Sequence, residues 1–199
     1  MSIQGIDVSS NQPSVDWNQV LQAGKVFAFL RATDGLDYTD SQFETYWNGA
    51  LEAGVLRGAY HFYRTNDDPT AQAENFLSVV HLQPGDLPPV VDFEKTTGSE
   101  SSSQILQDLQ TWLDVVQAAT GRVPIIYTGP DYWNSFGTSA FGSYPLWVAE
   151  YGVQSPKPVA GWPAWTFWQY SESGTVPGIP GAVDLDVFYG TLEELQALS

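Results

Sequence analysis

The 199-residue chain has no cysteine, one methionine, two histidines and only seven lysines and arginines. Without cysteine, neither a disulfide framework nor a thiolate metal site can form. With His61 and His81 alone, a zinc site would need mostly carboxylates, which is unusual for that ion, so neither a metal nor a cofactor is expected. Seven basic against 23 acidic residues give a net charge of -16, which leaves no basic patch for nucleic acid or an anionic membrane. No apolar run approaches the length of a membrane span, and the first residues run straight into strand chemistry without the pattern of a signal peptide. A glycine-rich phosphate loop and a Gly-x-Ser-x-Gly elbow are both missing.

What the chain has in quantity is rings. Aromatic residues make up 14% of it, including 8 Trp, enough for a large core, a sugar-binding cleft, or both. No linker or internal repeat divides it, so residues 1–199 are expected to form one domain. Apolar runs predict strands at Ile3–Val8, Lys25–Arg31, Val55–Tyr63, Pro89–Glu94, Val123–Tyr127, Pro145–Ala149, Trp165–Tyr170 and Ala182–Tyr189. Helical spacing falls between most of the first five. Ser14, Asp40 with Ser41, Asp68, Ser101 to Ser103 and Thr191 are the expected caps, and Asp131–Phe136 a short helix. Eight strands alternating with helices argue for a parallel sheet closed into an α/β barrel of TIM type. The last third, with glycine- and proline-rich connections, should be irregular.

The informative stretch is Val90-Val91-Asp92-Phe93-Glu94. On a strand, Asp92 and Glu94 point to the same face with Cα atoms roughly 6.5 Å apart, a costly arrangement inside a sheet unless something uses it. A barrel gathers functional groups at the C-terminal ends of its strands. Asp7 closes the first strand there, and Asp184 lies in the eighth, next to the first in a closed ring. Asp186 shares Asp184's face, and spacing leaves open which of them enters the cleft. Tyr60, Phe62, Tyr127, Trp147 and Gln169 occupy comparable positions, where they could pack or contact a ligand. Asp7 could equally cap the turn at Ser9 and Ser10.

Together these pieces resemble glycoside hydrolase family 25, the muramidase-type lysozymes of bacteria, phages and fungi. The resemblance rests on Gly5-Ile6-Asp7-Val8-Ser9, Phe29-Leu30-Arg31-Ala32-Thr33, Gly58-Ala59-Tyr60-His61-Phe62, Val90-Val91-Asp92-Phe93-Glu94, Ile126-Tyr127-Thr128, Leu146-Trp147-Val148-Ala149, Trp168-Gln169-Tyr170-Ser171 and Val183-Asp184-Leu185-Asp186. These run through the whole chain in family order. Asp186 departs from the pattern, since relatives often carry Asn there.

The resemblance implies an eight-stranded barrel with about five helices and hydrolysis of the β-1,4 bond from N-acetylmuramic acid to N-acetylglucosamine in peptidoglycan. It implies Glu94 as general acid, with Asp92 ionised beside it, orienting the substrate's 2-acetamido group so that this group attacks the anomeric carbon with retention. Asp7 and Asp184 would tune and position the other acids. Tyr60, Phe62, Tyr127, Trp147, Gln169 and Asp186 would bind sugar. Bacterial glycan strands are the expected partner of a monomer acting outside the cell, as a released endolysin does, with no separate wall-binding module. A non-catalytic glycan-binding barrel and a chitin-type hexosaminidase are the alternatives.

Overall fold

The computed structural model describes residues 2–199. Among the described residues nine strands form one sheet: β1 (Ile3–Val8), β2 (Lys25–Asp34), β3 (Tyr38–Thr39), β4 (Leu56–Phe62), β5 (Val90–Asp92), β6 (Ile125–Thr128), β7 (Leu146–Ala149), β8 (Phe167–Gly174) and β9 (Val183–Phe188). Their order is β1-β9-β8-β7-β6-β5-β4-β2-β3, with β1 also pairing β2. β3 hangs from β2 as a two-residue flap, and the other eight close the barrel.

The expected parallel sheet is corrected in one place. β9 runs antiparallel to both β1 and β8, so the barrel is mixed. The physical reason lies in the connection: the turn-rich segment between Gly174 and Val183 holds no helix, and a short link returns a strand antiparallel rather than parallel.

Six helices are present among the described residues: α1 (Trp17–Gln22), α2 (Phe43–Ala53), α3 (Pro69–Val79), α4 (Ser102–Thr120), α5 (Pro130–Asn134) and α6 (Leu192–Gln196). Asp68, Ser101 and Thr191 cap α3, α4 and α6 as expected, with the Thr191–Glu194 capping box complete. Two expected caps differ. Asp16, not Ser14, accepts the free amides of α1. At α2 neither Asp40 nor Ser41 is the N-cap; Asp40 instead binds Arg31 Nε at 2.8 Å and takes bonds from Ser10 and Gln42.

Alternation along the strands makes two cores. Outward residues such as Ile6, Leu30, Ala59, Val91, Ile126 and Val148 share one core with Phe76, Leu109, Trp112 and Leu113 of α3 and α4. Inward residues Phe27, Phe29, Val90, Ile125, Phe167 and Phe188 fill the lower lumen, with α6's Leu195 fully buried against them. Gly5 and Gly58 have no side chain because a Cβ at either would collide with the rings of Phe27 and Phe29. The lower barrel is therefore solid, and only its upper end is free to form a site.

Candidate active site

A cleft of about 230 Å³ opens at that upper end, lined by Asp7, Arg31, Tyr60, Phe62, Asp92, Glu94, Tyr127, Trp147, Tyr151, Gln169, Glu172 and Asp184. Parallel strands bring their C-terminal ends here. Asp184, near the start of β9, arrives only because that strand is reversed, which sets it directly opposite Asp7 on β1. Asp92 sits between Phe62 of β4 and Tyr127 of β6 in the ladder. Glu94 lies just past the end of β5, exposed at the rim.

The two acids of β5 differ in surroundings. Asp92 is 8% exposed, and its Oδ1 is buried without a hydrogen-bond partner. Burial first and the charge of Glu94 next push the Asp92 carboxyl well above the usual range, against a smaller opposing effect of Lys95. Glu94 is also raised, by loss of solvation and by Asp184, while Lys95 pulls it down; solvent at the rim moderates the shift. This direction runs against the expectation that Asp92 stays ionised beside Glu94. Of this pair, the deeper carboxyl carries the larger desolvation cost, so it retains a proton more readily.

On the opposite wall two of the carboxylates are tied to the protein. Gln169 Nε2 donates to Asp7 Oδ2 at 2.6 Å, and Trp147 Nε1 donates to Asp186 Oδ1 at 2.9 Å. Asp184 stands opposite Asp7 across the β1–β9 pair, and the charges of Asp184 and Asp186 both bear on Asp7. Three carboxyls that feel one another's charge resist ionising together. Burial, then the charges of Asp186 and Asp184, drive the Asp7 carboxyl well upward. Gln169 Oε1 accepts from Tyr127 Oη at 2.8 Å and from Tyr151 Oη. The amide is thus fixed in one orientation by groups on β6, β1 and the loop after β7.

The structure gathers Asp7, Asp92, Glu94, Asp184, Tyr60, Phe62, Tyr127, Trp147 and Gln169 around this one cleft. It does not place Asp186 there. That side chain is fully buried beneath the floor, under Trp147, so the expected sugar contact is corrected. Its parity with Asp184 on the strand is right, but two residues further along β9 means deeper in the lumen. Sequence reasoning missed Arg31, Tyr151 and Glu172. Arg31 ends the run Phe27, Phe29, Arg31 on the lumen face of β2, a pattern legible in principle. Tyr151 and Glu172 lie past the straight part of their strands, beyond the reach of alternation. His61, by contrast, points outward: it is buried, bonded to Thr33 and Gln72, stacked on Trp112 and held down to about 4 by desolvation.

An acid pair at the mouth of a closed α/β barrel, faced by aromatic rings and free of phosphate-binding elements, defines the class of carboxylate-dependent glycoside hydrolases. Residues 6–179 match the model of glycosyl hydrolases family 25, and the chain belongs to that family. It is 40% identical over 209 residues to Lysozyme M1 of Streptomyces globisporus, covering 99% of this chain and 71% of that protein. With the N,O-diacetylmuramidase of Chalaropsis sp it shares 32% identity, covering 92% and 96% of the two chains. The crystal structure of the bacterial lysozyme from Streptomyces coelicolor superposes with a TM-score of 0.95 at 38% identity, covering 100% of this chain and 97% of that one.

Proposed function

We propose that Glu94 is the general acid and Asp92 the acetamido-orienting group of a muramidase. Family membership and its lysozyme and N,O-diacetylmuramidase relatives make the chain a glycoside hydrolase with muramidase activity on bacterial peptidoglycan. The observation that carries the residue assignment is the orphaned Asp92 Oδ1: a buried acceptor with no partner, beside a rim carboxyl, in a cleft of sugar size.

In this reading the substrate's 2-acetamido N–H donates to Asp92 Oδ1. A hydrogen bond to the charged form favours ionisation, so sugar binding moves the shared proton from Asp92 toward Glu94. Glu94 then protonates the leaving glycosidic oxygen. The acetamido carbonyl oxygen attacks the anomeric carbon from the other face, and Asp92 stabilises the positive charge that develops on the bridged ring. Water, deprotonated by Glu94, opens that ring and restores the anomeric configuration. Asp7 and Asp184 hold the far wall, and Tyr60 and Phe62 offer half-buried rings to the sugar. The protein works on wall glycan outside the cell and as a monomer.

The test is mass spectrometry of fragments released from purified peptidoglycan. New N-acetylmuramic acid reducing ends are expected from the wild type, and about 10³-fold fewer from Glu94→Gln at unchanged circular dichroism. Wild-type-like release by that variant overturns the assignment of the acid. Inversion at the anomeric carbon, read by NMR, overturns the acetamido route.

A further inference from the structure

The chain's few cations are nearly all occupied. Arg57 pairs with Asp86, Lys157 with Asp131 and Glu150, Arg122 binds backbone carbonyls, and Lys25 lies buried against Gln4. The remaining ones, Arg31, Arg64 and Lys95, stand on the neighbouring strand ends β2, β4 and β5, on one side of the cleft. Arg31 is held by Asp40 at 2.8 Å, and Arg64 grips Asp34 through both Nε and Nη2. Lys95 has no carboxylate within ion-pair distance and no hydrogen bond among the described residues.

Lys95 is nonetheless not a free surface side chain. Its Nζ stands 4.7 Å from the centroid of the Phe62 ring, which lines the cleft, and Arg64 faces the same ring at 5.1 Å. A cation over an aromatic face is attracted by the ring's negative quadrupole, which biases an otherwise mobile chain toward the cleft lip. Its charge reaches the site, since it lowers both Asp92 and Glu94. The facing wall, with Glu172, Asp184 and Asp7, is acidic. A substrate with a carboxylate would therefore be repelled on one side of this cleft and attracted on the other.

We propose that Lys95, seated on Phe62, is a specificity-determining residue that binds a carboxylate of the glycan at the lip of the cleft. The inference rests on the muramidase reading, whose substrate carries such groups in two places. One is the lactyl ether of the muramic acid, where the stem peptide has been removed. The other is the acidic residues of the peptide, where it remains. In both, the shared chemistry is a carboxylate close to the ring being cut. The ammonium supplies up to three donors to it, and Phe62 limits the chain entropy lost on binding. The same contact sets the orientation of an anionic strand, because turning it round would present its carboxylates to Glu172 and Asp184.

The experiment uses two glycan preparations, peptide-free strands with free lactyl carboxylates and peptide-bearing strands. Each is assayed before and after its carboxylates are converted to methylamides. kcat/KM is measured for wild type, Lys95→Met and Lys95→Arg. For wild type, methylamidation of at least one preparation is expected to lower kcat/KM about fivefold, chiefly through KM, the range of an exposed ion pair. Lys95→Met should erase that ratio and Lys95→Arg keep it. A ratio confined to the peptide-free pair assigns the lactyl carboxylate; one confined to the peptide-bearing pair assigns the stem. Lys95→Met will also alter Glu94 and Asp92 directly, but equally for charged and amidated substrates, so the ratio isolates the contact. Wild-type rates indifferent to amidation in both pairs, or a ratio that survives in Lys95→Met, overturn the inference while leaving the muramidase reading intact. No new reducing ends from any of the four glycans overturns the muramidase reading, and the inference with it.

Discussion

The cleft holds two groups of acids that invite the same description and differ in what surrounds them. Asp92 and Glu94 on the β5 side are under-partnered: one oxygen of Asp92 is orphaned and Glu94 stands open at the rim. On the β1–β9 side Asp7 is held by Gln169 and Asp186 by Trp147, with Asp184 set opposite Asp7 across the strand pair. Both groups are raised above the usual carboxylate range, so raised proton affinity alone does not mark a reacting acid. A buried acceptor left unfilled at the cleft does. The first group is available to a substrate, and the second fixes the shape and charge of a wall.

The comparison is most sharply tested by Asp92→Asn. The amide keeps the size of the side chain but cannot ionise, so charge stabilisation on the bridged sugar is lost. A fall in kcat of about 10²-fold is expected, with KM little changed. If Asp92→Asn keeps near-full kcat, the orphaned oxygen is not where the substrate docks. Gln169→Leu comes next. It strips Asp7 of a donor and leaves two phenols without their acceptor, costing roughly 1–3 kcal/mol of stability by thermal melting. Activity should fall about tenfold through a misplaced Asp7. The limbs of the pH–rate profile should stay where they are, because they belong to Asp92 and Glu94. Limbs that move with Gln169 would join both walls into one titrating unit and break the distinction.

Legibility in the sequence followed the same division. All eight barrel strands were visible as apolar runs bounded by turn residues; seven are mostly buried, and β8 shows itself through its first half. The flap β3, two residues long, left no such trace. Asp92 and Glu94 stood out because two acids on one face of a buried strand have no cheap structural explanation. Asp7 and Asp184 became meaningful only through strand order. Their contact depends on β9 running backwards, which the alternation of strands and helices argued against. Depth was the least legible property. Alternation puts Asp184 and Asp186 on one face without telling that one opens to solvent and the other lies beneath Trp147. Spacing also cannot say that Asp92 is sealed while Glu94 protrudes.

Asp186→Asn gives the smallest expected change in activity and the cleanest separation of wall from reacting pair. Asp186 has no surface in the cleft, and one of its oxygens, Oδ2, is buried without a protein donor. Burial, opposed by the Trp147 bond and reinforced by Asp184, holds its carboxyl well above the value of about 3.9 that it has in the unfolded chain. Because the folded state retains the proton to higher pH, the stability linked to Asp186 is fully present below pH of about 4. It is lost as pH rises through the elevated folded value. Asparagine does not titrate, and its oxygen can still accept from Trp147. The variant should therefore melt higher than wild type at neutral pH, by about 2–4 °C for each kcal/mol gained, and close to wild type near pH 4. Activity should stay within about threefold, the range of a change that touches no reacting atom. Scanning calorimetry across that pH interval, beside a wall-clearing assay, checks both. An equal gain at both pH values would mean that packing rather than charge sets the cost of Asp186. A loss of activity matching Asp92→Asn would mean that the buried acids take part in the reaction after all.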